Sequence, residues 1–117
     1  MQRLLASLCA STALAAFGYG SDREDVVVVN VSIPMGKMHE ECQRVEAGHK
    51  RRYNWRSDSP VDFNIHYHKE TEVFYPVKRD AMRGDGGTFR AKTGEDYCWM
   101  WTARDKPATI SGRIELK

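Results

Sequence analysis

No apolar run in this 117-residue sequence reaches the roughly 20 residues that a helix needs to span a bilayer. Neither sign of charge dominates: 18 Lys and Arg face 16 Asp and Glu, a net +2. The basic excess of a nucleic-acid binder is therefore missing, and no nucleic-acid partner is expected. Catalytic signatures are missing as well. There is no Gly-x-Ser-x-Gly elbow, P-loop, His-Glu-x-x-His or dinucleotide fingerprint, so no catalytic residue is assigned and the expectation is a protein that is not an enzyme. Past the N-terminus no stretch carries the period of a long amphipathic helix. Cysteine is scarce, with 3 residues. What is present, 41% hydrophobic and 29% charged residues, is the composition of one small globular domain.

Residues 1–20 read MQRLLASLCASTALAAFGYG. Arg3 supplies a positive start, Leu4 to Phe17 is uncharged, and Ala13-Leu14-Ala15 and Gly18-Tyr19-Gly20 are small-x-small cleavage candidates. This is the pattern of a secretory signal peptide, a leader helix removed on export, and it has no polar face that would make it a helix of the mature fold. The expected organisation is a leader over 1–20 and one domain over 21–117, exported to the periplasm or secreted, with no transmembrane span in the mature chain. Cys9 leaves with the leader. Cys42 and Cys98 remain, and two cysteines in an oxidising compartment predict one disulfide, with two separate buried thiols as the alternative. The bridge would close a loop of about 57 residues, worth about 4 kcal/mol in the chain-entropy account.

The mature part reads as strands. Val26 to Ile33 (VVVVNVSI) is β-branched, and its unbroken valine run predicts burial on both faces. Lys37 to Val45 is mixed and reads as one helical turn or an irregular crossing. Lys50 to Arg56 and Val61 to His68 alternate on either side of Ser57-Asp58-Ser59-Pro60, so 50–68 reads as a hairpin. In the second arm Val61, Phe63, Ile65 and Tyr67 point inward and Asp62, Asn64, His66 and His68 outward. Short strands are expected at Val73 to Val77, with Pro76 marking an edge or an end, and at Thr88 to Lys92, with a charged, glycine-rich loop over 78–87. Tyr97 to Thr102 and Ala108 to Leu116 complete about seven strands, an antiparallel all-β sandwich. The expected core is Val27, Val29, Val31, Tyr53, Trp55, Phe63, Ile65, Phe89, Trp99, Ile110 and Ile114.

The order of these features resembles a GOLD (Golgi dynamics) domain. The likeness runs from Val26 to Leu116. It rests on the early strand followed by Cys42, on Ala47-Gly48 leading into Tyr53-Asn54-Trp55, on Ser59-Pro60-Val61-Asp62-Phe63-Asn64-Ile65, on Thr88-Phe89-Arg90-Ala91, and on Gly94-Glu95-Asp96-Tyr97-Cys98-Trp99. The resemblance implies a jelly-roll sandwich, a disulfide across the sandwich between Cys42 and Cys98, and a non-catalytic module that faces a protein or a lipid; the partner expected here is a protein or an envelope component. The family's cargo receptors continue into a coiled coil, a membrane span and a cytoplasmic tail, whereas this sequence stops at Lys117. Membrane-embedded sorting is therefore not among the expectations.

Two constellations carry candidate sites. His66 and His68 stand at i and i+2 of a strand, on one face about 6–7 Å apart, and Glu70 continues the row. Such a pair can share a copper or zinc ion, which makes metal binding the alternative to a module without cofactor. Tyr97, Trp99 and Trp101 share a face of their strand. Trp99 is assigned to the core, and Tyr97 and Trp101 offer a possible ligand platform. His49-Lys50-Arg51-Arg52, with Arg56, is a local basic cluster that can meet an anionic partner.

Overall fold

The computed structural model describes residues 25–116; the expected leader over 1–20 lies outside them. Six strands follow in chain order: β1 (Val26–Ile33), β2 (Met38–Val45), β3 (Lys50–Lys69), β4 (Glu72–Arg90), β5 (Glu95–Ala103) and β6 (Ala108–Glu115). All pairings are antiparallel, in the order β1-β6-β3-β5-β2 with β4 on β3. The fold is thus all-β, and no helix among the described residues is long and apolar enough to cross a membrane.

β3 is the pivot. Tyr53 to Ser57 pair with β6, Val61 to His66 pair with β5, and β4 runs the length of β3 along its other edge. The ladder breaks between Arg56 and Val61, and the sheet folds over on itself there into a sandwich-like pair of layers. Rings from the two halves meet inside: Trp55 lies 5.2 Å from Phe63 and 6.3 Å from Trp101, and Tyr53 lies 6.4 Å from Trp99, centroid to centroid. Val29, Ile33, Val45, Val61, Ile65, Ile110 and Ile114 complete the buried core.

Four expectations change. Ser57-Asp58-Ser59-Pro60 makes a corner inside one 20-residue strand and not a hairpin turn. Its side chains replace the missing ladder bonds: the Ser59 hydroxyl donates to the Pro107 carbonyl (2.8 Å), and Asp58 Oδ1 accepts from the Thr109 N–H (2.8 Å). Residues 78–87 belong to β4 and not to a loop. Its own irregularity, at Ala81 (φ 53°), is tied by an N–H donated to Asp62 Oδ1 (2.9 Å). β2 is a strand although its sequence is polar, because pairing with β5 overrides weak propensity. β1 is a sheet edge with one face in solvent, so Val28 is 73% exposed and the expected two-sided burial does not occur; Val27 and Val31 are only partly buried against the core.

The alternation at Val61, Phe63 and Ile65 holds, with all three fully buried and Tyr67 packed against them. Within one layer, β6 and β3 also approach closely at Gly112, which pairs with both Val29 and Trp55. A Cβ there would lie 2.5 Å from the Asn54 carbonyl oxygen and 2.6 Å from Trp55 Cβ. Gly112→Ala is expected to destabilise the fold by about 1–3 kcal/mol through overpacking. A lower urea midpoint at unchanged m-value checks this.

Candidate functional site

The outer face of the layer formed by β2, β5 and the second half of β3 is set by register. Cys42 pairs with Cys98, and Cys98 with His66; Glu40 pairs with Met100, and Met100 with Asn64. The sulfurs of Cys42 and Cys98 are 2.06 Å apart and their Cα atoms 4.0 Å, so the bridge joins neighbouring strands. It does not cross between layers, as the family resemblance implied, because both cysteines occupy outward positions of adjacent strands.

His66 projects from this outer face yet is only 3% exposed. The rings of His68 (5.2 Å, edge-on) and Tyr75 (5.7 Å) cover it. Its Nδ1 lies 2.6 Å from Asn64 Oδ1, and its Nε2 lies 3.3 Å from Glu40 Oε1. Glu70 does not join the two histidines; it occupies the β3–β4 turn in the left-handed region (φ 59°) and is exposed. Among the described residues, the group of three ligand atoms that converges within 4.8 Å belongs to Glu40, Cys42 and Cys98, where the two sulfurs are bonded to one another. Asn64 stands in the same outward row of β3 as the two histidines, whereas Glu40 went unnoticed in the sequence because only the strand register brings it to His66.

Tyr97 and Trp101 do not form an open platform. Each is 1% exposed. Phe89 lies 4.8 Å from Tyr97, and Phe63 lies 5.5 Å from Trp101. Their strand face points between the layers, and core rings already occupy the aromatic surfaces. Of the basic cluster, Arg51 is engaged: its Nε donates to Gln43 Oε1 (2.8 Å). His49, Lys50 and Arg52 line an open depression of about 570 Å³ beside Glu115.

A second concavity lies where the two ends of β4 return toward each other. Phe74 to Val77 form one wall, Thr88 to Arg90 the other, and Lys92 and Thr93 close one end of a groove of about 430 Å³. Tyr67 stacks on Phe74 (5.1 Å, 13°) and meets Tyr97 edge-on (5.2 Å), so a run of rings leads from the surface to the core. The Tyr97 hydroxyl donates to the Thr93 carbonyl (2.7 Å). Phe74 remains 39% exposed at the lip. Two exposed aromatics in a row, Phe74-Tyr75, were the available sequence signal, but the distance along the chain between 74 and 90 concealed that they share a groove.

Burial pushes the His66 imidazole below its ordinary value; the Glu40 carboxylate opposes the shift, and His68 adds to it. The unfolded chain therefore takes up a proton that the native state resists. The stability this contributes is present above the ordinary histidine value of about 6.5 and is lost as pH falls through the lower native value. Between about pH 7 and pH 5 the unfolding free energy of the wild type is expected to fall more steeply than that of His66→Gln. Urea titrations at closely spaced pH values check this, and parallel slopes would refute it.

Compared with known proteins, the chain matches no family model and no curated sequence, so its own geometry carries the functional reading.

Proposed function

We propose that this chain is an exported, non-catalytic binding module of GOLD-like, jelly-roll architecture, stabilised by one disulfide, with a protein or envelope component as its partner. The observation that carries the reading is the direct opposition of Cys42 and Cys98 in the β2–β5 ladder, where they are joined. These are the two cysteines that survive removal of the leader, and structural disulfides persist in oxidising compartments. The aromatic groove beside β4 supports a binding role, since concave sites with an apolar floor and few polar groups are where ligands dock. Intact mass of the protein recovered from an exporting host tests the proposal. Loss of the leader, no alkylation of the native protein and two alkylations after reduction are expected. An unprocessed chain with free thiols at Cys42 and Cys98 would overturn it.

A second reading, divalent metal binding at His66, is favoured by one contact. In the tautomer that donates from Nδ1 to Asn64, the Nε2 lone pair faces the Glu40 carboxylate oxygen at 3.3 Å. A lone pair against a carboxylate calls for a cation between them, a proton or a metal ion. Calorimetric titration with Zn²⁺ and Cu²⁺ decides it. Affinity at least about tenfold lower in Glu40→Gln and in the His66→Ala, His68→Ala double variant is expected of a real site; unchanged affinity removes this reading.

A further inference from the structure

We infer that the groove between the two ends of β4 binds a single-chain amphipathic anion, an alkyl carboxylate of medium length, whose headgroup is held by Arg90 and Lys92. The inference rests on the binding-module reading and gives that module a ligand class.

The shape comes first. β4 pairs only with β3, so its other edge has no strand to close the mouth of the sandwich. The space left, about 430 Å³, lies at the lower end of the range for small-molecule sites and takes one chain. A flat bilayer would not reach the floor, which is recessed: Tyr97 and Phe89 are buried, and Phe74 at the lip is half-exposed.

The chemistry of the lining then narrows the ligand. The floor consists of ring faces and edges, and its one deep polar group, the Tyr97 hydroxyl, is already donated to Thr93. That floor rewards an apolar body and offers little to a sugar, whose hydroxyls would lose water without gaining partners. The rim carries charge of one sign. Arg90 and Lys92 line the groove, no carboxylate does, and neither cation forms an ion pair among the described residues, whereas Arg44, Lys69 and Arg104 do. Lys50, opposite Arg90 in the β3–β4 ladder, adds to the positive field. A carboxylate matches the planar fork of a guanidinium, and an ammonium beside it strengthens the hold. A ligand with its carboxylate at this rim and its alkyl chain over Tyr67 and Phe74 satisfies both halves of the site, while an organic cation would be repelled.

Titration calorimetry of the full, oxidised chain with decanoate and with decan-1-ol tests the assignment. Saturable 1:1 binding of decanoate with Kd below about 1 mM is expected. Arg90→Gln, Lys92→Gln together should weaken decanoate at least about tenfold and leave decanol nearly unchanged, whereas Phe74→Ala should weaken both. Absence of saturable decanoate binding, equal affinity in the double variant, or adsorption to anionic vesicles without monomer binding would each overturn the assignment. A processed, disulfide-bonded protein that ignores decanoate refutes this ligand class alone; an unprocessed, reduced protein that binds it refutes the export reading and leaves the groove assignment standing.

Discussion

The continuity of β3 is the constraint on which the rest of this structure depends. One edge of a single strand pairs first with β6 and then with β5, so the two layers are two stretches of one ladder joined at Ser57–Pro60. The join is covalent and short, and the layers cannot slide past one another without breaking it. A strand that changes layers must lose ladder bonds at the corner, and its backbone groups need other partners there. Asp58, Ser59 and Asp62 take up that loss with side-chain oxygens bonded to Thr109, Pro107 and Ala81. The corner is therefore polar and built from small side chains, between two stretches of buried aromatics.

β2 shows what happens far from the pivot. It pairs with β5 alone, and of its eight residues only Val45 is buried. Burying one valine contributes about 1.5–3 kcal/mol, too little to order a polar strand that must also give up backbone freedom. A bridge closing about 57 residues contributes about 4 kcal/mol through the unfolded chain. By magnitude, the Cys42–Cys98 bridge outweighs the packing of the strand it fastens. It also holds Glu40 against His66, since both lie one step from the disulfide in the ladder.

Much of the fold was legible where side-chain period and burial coincide. Val61, Phe63 and Ile65 alternate because one face of β3 meets the other layer, and a period of two records that directly. The same logic misled at Val26 to Val29, where valine reflects β propensity as well as burial and cannot reveal that a strand lies at an edge. Turn residues were legible as bends and not as reversals: Ser-Asp-Ser-Pro supplies polar caps and a fixed φ whether the chain turns back or only changes layers. The charged, glycine-rich 78–87 stretch conceals a strand for a related reason. At Gly84 and Gly86 a Cβ would crowd the carbonyl oxygens of Trp55 and Tyr53 at 3.1 and 3.2 Å, so glycine there serves close coiling of β4 on β3. Site residues were legible only within one strand. His66 and His68 could be paired by counting two; Glu40, Phe74 and Arg90 reach their neighbours through register, which a single sequence does not print.

The aromatic face of β5 links core and groove. From the mouth of the sandwich to the corner its inward residues run Tyr97, Trp99, Trp101 and Ala103, and Ala103 pairs with Val61 next to the bend. Large rings thus occupy the first three of these positions and alanine the last, beside the bend. The tryptophans carry a cost, since the indole N–H groups of Trp55, Trp99 and Trp101 are buried without an acceptor. A buried ring removes about 150–250 Å² from water, or about 4–6 kcal/mol at the usual coefficient, which exceeds the roughly 1–3 kcal/mol for an orphaned donor. At the mouth the balance changes, because water competes there and a polar tip can find a partner. The residue at that end is tyrosine, its hydroxyl anchored on Thr93 and its ring buried edge-on against Tyr67, which lines the groove. The packing that makes the core rigid thus ends, at the one unpaired side of β4, in a surface of ring edges with cations above it.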